Sequence, residues 1–213
     1  MRREIIFYEN HFIEFYQNQD EKVKEKIKYT LELKKQVDKV PEKFLKHLAG
    51  TNGLYEIRIE FQSNIYRIFC CFDKGKLVVL FNGFQKKSQF TPKKWIGKSF
   101  EINERVFSTK KKFRMKDYKN IKTFDQLIEM EHGKMGTESR NSYEEKSQMF
   151  IISEMLKNAR KEAKITQEQL AEKTGTKKSY ISRIENGKGN IQLSTLIRIF
   201  ELGLNKRIGL TFL

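Results

Sequence analysis

The stretch Thr166 to Glu185, TQEQLAEKTGTKKSYISRIE, constrains this chain more than any other. Thr166 followed three residues later by Gln169 is a capping box, so a helix starts there. Leu170 is the inward position of that helix, and Ala171 is small where a second helix must cross close above it. Gly175 falls where the chain has to turn with a positive φ, which costs least without a Cβ. Ile181 and Ile184 share the inward face of the second helix. Two short helices packed steeply across a tight turn meet all of these demands together. The window therefore predicts a helix-turn-helix over 166–185.

Its flanks agree. Ile151 to Glu162 reads as an amphipathic helix with Ile152, Met155 and Leu156 inward and Arg160 outward. Ser194 to Gly203 reads as another, carrying Leu196, Ile199 and Phe200. The TQEQLA opening, the YISRIENG centre and the LSTLIRIFELG close resemble the lambda-repressor-like antitoxin and phage-repressor family. The resemblance implies that Gln167, at the start of the first helix, touches phosphate. It also implies that Lys177, Lys178, Ser179, Tyr180 and Arg183 face operator DNA from the recognition helix. Arg183 and Ser179 are the residue types suited to reading base edges, and a dimer on two half-sites is expected.

The net charge of +16, from 43 Lys and Arg against 27 Asp and Glu, suits a polyanionic partner. Cys70 and Cys71 are adjacent, so on a strand they point to opposite faces and do not pair. With no disulfide framework, a reducing cytoplasm is the expected compartment. Met1 to Ile6 meets Glu9 and Glu14 before any long apolar run, so no signal peptide is expected, and no window is long enough to span a membrane.

The first half reads differently. Glu4 to Tyr8 is a short strand, and helical patterning runs from about Asn10 to Val40 with a break near Asn18–Asp20. Its inward positions are Phe12, Phe15, Val23, Ile27, Leu31 and Leu33. Pro41 to Leu48 is expected as a short helix. Three strands follow, Leu54 to Phe61, Asn64 to Phe72 and Lys76 to Phe84, joined by hairpin-grade turns. The expected fold class is α+β: an N-terminal antiparallel sheet with two helices on it, followed by an all-α helix-turn-helix domain.

Within Leu54 to Lys94, Arg58 and Arg67 lie on neighbouring strands and Lys86 and Lys87 follow the third. Such a cluster can hold a phosphodiester and stabilise the added charge of its transition state. Tyr55, Tyr66 and Phe84 can offer faces for base stacking. No paired histidines, metal-ligand cluster or Ser-His-Asp set is visible, so neither a metal nor a cofactor is expected. His47 is isolated.

The motifs YEIRI, NIYRIF and FNGFQKKSQFTPKK resemble a HigB-type toxin of the RelE/ParE superfamily, in its phage-derived branch, nearly end to end over residues 1–94. That resemblance implies a ribosome-dependent endoribonuclease in which the RNA's own 2′-hydroxyl attacks the adjacent phosphate. Arg58 and Arg67 would stabilise the phosphate. Lys86 and Lys87 would hold the RNA backbone, one of them acting as acid or base, and Glu56 would orient Arg58. Asn82 stands where many relatives carry histidine, and Trp95 to Phe100 breaks the charged tail helix such toxins usually have.

From Met115 onward the chain resembles a complete HigA-type antitoxin. The expected organisation is a toxin domain over 1–99, a junction over 100–117, and an antitoxin domain over 118–213. Within the last, Thr123 caps a helix to Glu131, Gly133 to Ser142 is a loop, and Arg207 to Leu213 is a closing strand. The two halves would contact each other within or between chains, and the chain would read as two partners made as one polypeptide. Two other readings stay open. One is a repressor whose first half only senses or dimerises. The other is a nuclease targeted by its helix-turn-helix.

Overall fold

The computed structural model describes residues 3–8, 10–38, 40–51, 53–73, 77–86, 97, 101 and 123–209. Lys87, Pro92 to Lys94 and, apart from Glu101, the expected junction lie outside them. The chain divides into two compact units, Met1–Arg140 and Asn141–Leu213. The first unit thus takes in residues beyond 118, where the sequence reading starts its second domain.

The first unit is built on a five-stranded sheet, in the order β1-β5-β4-β3-β2. The strands are β1 (Glu4–Phe7), β2 (Leu45–His47), β3 (Leu54–Phe61), β4 (Asn64–Asp73) and β5 (Leu77–Lys86). β3 to β5 form the expected antiparallel meander and β2 extends it, while β1 joins the edge parallel to β5, with Ile6 opposite Val79. The stretch from Pro41 is a correction: Glu42 to Phe44 make a turn and β2 follows, not a helix. β3 offers β2 a free edge, and a short strand there satisfies backbone groups that a helix would leave open.

The helices α1 (His11–Gln17) and α2 (Glu21–Gln36) pack on one face of this sheet, separated at the expected break. Phe7, Phe12, Ile27, Leu31 and Leu33 are fully buried, each worth roughly 1.5–3 kcal/mol of transfer free energy. Gly83 of β5 is bare because α1 lies directly on it, and a Cβ there would collide with the Phe15 ring. Arg3 closes the end of α2 by donating from Nη1 to the carbonyls of Lys34 (3.0 Å) and Val37 (2.6 Å) and from Nη2 to that of Asp38 (2.7 Å), satisfying acceptors that a helix terminus leaves unpaired.

A third helix, α3 (Phe124–His132), opens on a capping box of Thr123 and Gln126. Thr123 bridges Ile6 of β1, and Phe124, Leu127 and Ile128 are buried on one side of the helix. Lys35 near the end of α2 pairs with Asp125, while Lys28 further back donates to Glu131 at 2.7 Å. That order makes α3 antiparallel to α2. Tyr16 Oη also donates to Glu131, at 2.8 Å to Oε1, and Lys28 Nζ lies 2.8 Å from His132 Nε2. Burial, and after it the Lys28 ammonium, holds the His132 imidazole below its usual pKa.

The second unit is helical. α4 runs from Glu138 to Glu162, so the loop expected through Ser142 ends at Thr137 instead. Then come α5 (Gln167–Thr174), α6 (Lys178–Glu185) and α7 (Leu193–Arg198), the last continuing into a π-turn at Ile199–Gly203. Leu156, Ala159, Leu170, Ala171, Ile181, Ile184, Ile199 and Leu204 form one core. Gly175 adopts φ 61°, ψ 36°, the left-handed conformation expected at the turn. Arg207 to Gly209 carry no strand, and the rest of the expected closing strand lies outside the described residues.

Candidate functional site

Two surfaces gather the residues singled out from the sequence. On the sheet, Arg58 of β3 lies directly opposite Arg67 of β4, and Arg67 lies opposite Phe84 of β5. Directly opposed residues share a face, so all three point away from the face that holds Gly83 and the helices. Glu56, two residues before Arg58, shares that face. Its Oε1 accepts from Arg58 Nε at 2.8 Å and lies 3.4 Å from Arg67 Nε. One buried carboxylate therefore sits between two guanidiniums that would otherwise repel each other.

Arg67 is buried, and burial holds its pKa below the ordinary value while Glu56 works the other way. Arg58 keeps a quarter of its side chain exposed, so it is the more accessible of the two guanidiniums. Lys86 is opposite Ile65 at the end of β5, along the same side of the sheet. Lys87 lies outside the described residues.

Of the three aromatic residues named from the sequence, only Phe84 falls on the face of this cluster. Tyr66 pairs with Ile59 on the helix-covered face and is buried. Tyr55 shares that face, where its ring meets those of His47 and Phe72 edge-on. Phe84 shares the arginines' face but is buried in a stack on Phe69. The signal was present in the sequence: Tyr66 and Arg67 are neighbours on a strand, so they must point to opposite faces.

The second surface is the outer side of α6. A cleft of about 500 Å³ is lined by Thr176, Lys177, Ser179, Tyr180, Arg183, Thr195 and Arg198. Four of the residues named from the sequence line it, namely Lys177, Ser179, Tyr180 and Arg183. Lys178 points elsewhere and pairs with Glu168 at 2.9 Å. Gln167 Nε2 donates to Glu185 at 2.8 Å.

Glu185 also corrects the expectation for Arg160. Arg160 turns inward, with Nε 2.6 Å and Nη2 2.8 Å from the two Glu185 oxygens. This bidentate pair ties α4 to the end of α6. Burial pushes the Glu185 carboxyl up, but hydrogen bonds from Arg160 and Gln167 and the Arg160 charge outweigh it, and the net displacement is downward. Sequence reasoning missed Thr195 and Arg198, which come from α7 and reach the cleft only through tertiary packing.

Among the described residues, no group of His, Cys, Asp and Glu is placed to hold a metal ion, and no helix is long and apolar enough to cross a membrane.

Together these features define a two-part chain: a small α+β domain with a paired-arginine sheet face, and a helical domain built around a helix-turn-helix. Residues 14–101 match the family described as phage derived protein Gp49-like (DUF891), and residues 156–202 match the family described as helix-turn-helix. The chain thus carries an N-terminal Gp49-like domain, of the RelE/HigB-like phage toxin family, and a C-terminal helix-turn-helix domain of the XRE type. No curated protein and no solved structure gives a match.

Proposed function

We propose that the chain is a type II toxin–antitoxin module in one polypeptide. Its first part is a ribosome-dependent messenger-RNA endoribonuclease that uses no metal. Its last part represses the module's own promoter and holds the first part in check. The observation that carries this reading is the order of parts: a Gp49-like domain, then α3 seated against it through Glu131, then a helix-turn-helix. On this reading α3 belongs to the antitoxin portion and is its hold on the toxin.

The chemistry asked of the sheet face is limited. Arg58, poised by Glu56, binds the scissile phosphate and stabilises the charge gained when the 2′-hydroxyl attacks. Lys86 holds the RNA backbone, with Lys87 in the same role. Covalent linkage keeps the inhibitor at high effective concentration, so the intact chain is expected to be weakly toxic at most. It works in the bacterial cytoplasm, as a dimer on operator DNA.

Two forms expressed in a bacterium test this: the chain ended before Thr123, and the full chain carrying Glu131→Lys, which sets a like charge against Lys28. Growth arrest with cleaved messenger RNA, abolished by Arg58→Ala, is the expected result. Vigorous growth with intact messenger RNA in both forms removes the ribonuclease.

A second reading draws on Glu56. A carboxylate that ties up a buried Arg67 also suits a purely structural role, leaving a repressor with a non-catalytic first half. The Arg58→Ala comparison separates the two, since only a toxin loses growth inhibition.

A further inference from the structure

The cleft on the helix-turn-helix unit has a wall that the motif itself does not supply. Thr195 and Arg198 stand one helical turn apart on α7, and both line it beside Thr176, Lys177 and Tyr180. We infer that Thr195 and Arg198 form a phosphate clamp, gripping the sugar–phosphate backbone of one DNA strand while α6 reads the bases. This rests on the DNA-binding reading of the domain.

The lining carries the argument. It holds three cations, Lys177, Arg183 and Arg198, three hydroxyls on Thr176, Ser179 and Thr195, one tyrosine and no carboxylate. A surface of hydroxyl and cationic donors without an acid matches the phosphodiester backbone, which accepts hydrogen bonds and carries charge at regular intervals. The two arginines are held differently. The Arg183 guanidinium lies 5.4 Å from the Tyr180 ring centroid, and its stem runs along Gly189, where a Cβ would come within 3.2 Å of Nε. That contact braces it for base reading. Arg198 is exposed at the end of α7, beside the Thr195 hydroxyl, as suits a charge that follows a backbone. Lys178 in its ion pair with Glu168 and Gln167 on Glu185 stand outside the cleft, so Arg198 takes over part of the anchoring that the family resemblance implied for them.

The test uses the full chain with two probes: the duplex immediately upstream of its own coding sequence, and a scrambled duplex of equal length. Binding is followed by fluorescence anisotropy over a salt series. Arg198→Gln is expected to weaken binding to both duplexes by the same several-fold factor. It should also reduce the slope of log affinity against log salt by about 1. Thr195→Val weakens both probes equally, whereas Arg183→Gln weakens the upstream duplex selectively. Arg198 is exposed, so an unchanged melting temperature verifies that the variant is folded. If Arg198→Gln leaves affinity and slope unchanged, or weakens the upstream duplex alone, the clamp is wrong while the domain still binds DNA. If the unmodified chain binds neither duplex, the DNA reading falls and the clamp falls with it.

Discussion

Arg58 and Arg67 face each other across the β3–β4 ladder, and the Glu56 carboxylate contacts both. Like charges directly opposed on a sheet destabilise it, so this pairing depends on the third group. Removing Glu56 leaves Arg67 buried without its counter-charge. Glu56→Ala is therefore expected to lower stability by about 3–5 kcal/mol, read from the urea midpoint at constant slope. Arg58→Ala, at a partly exposed position, should cost far less. Equal losses for the two variants would show that Glu56 does not bridge the pair.

The Arg160–Glu185 pair predicts an acid-sensitive link in the second unit. The folded-state pKa of Glu185 lies below its ordinary value of 4.5. Its stabilising contribution is therefore complete above about pH 4.5 and is lost as pH falls through the depressed folded value. Thermal melts of the full chain and of Glu185→Gln across that acid range should converge toward low pH. Curves that stay parallel down to the acid end would remove Glu185 from the account.

Lys34 predicts a trend at the opposite end of the scale. Its amine is buried and finds no hydrogen-bond partner among the described residues. Burial drives its pKa from 10.5 down to about 7, with Arg3 adding to the fall and Cys70 opposing it. Between those two values the unfolded chain holds the proton and the folded chain does not, so stability rises with pH, by roughly 1.4 kcal/mol per unit of displacement in full. Below about pH 7 the penalty is constant and complete. Lys34→Met should stabilise the protein most at neutral and lower pH and flatten the alkaline rise. Unchanged stability at pH 6 would mean that the amine reaches solvent.

The two halves were legible to different degrees. The capping box at Thr166, the left-handed Gly175 and the inward Leu170, Ala171, Ile181 and Ile184 all stand where the sequence put them. Each is a demand between residues a few positions apart. The alternation in Leu54 to Phe61 likewise placed Glu56 beside Arg58. The short β2 was misread as a helix because three residues carry too little periodicity, and only the waiting edge of β3 decides their conformation.

By itself the sequence determined the two domain classes, the longer helices and strands, and the side of each strand on which a residue falls, because these follow from local period, caps and turns. Tertiary structure alone decided that β1 pairs parallel with β5, that α3 rests on α2 through Lys28 and Glu131, and that Tyr66 is buried rather than offered to RNA. It also decided that Arg198 lines one cleft with Ser179, Tyr180 and Arg183 of α6. These relations join residues far apart in the chain, and packing and burial select the partner, which no short-range pattern encodes.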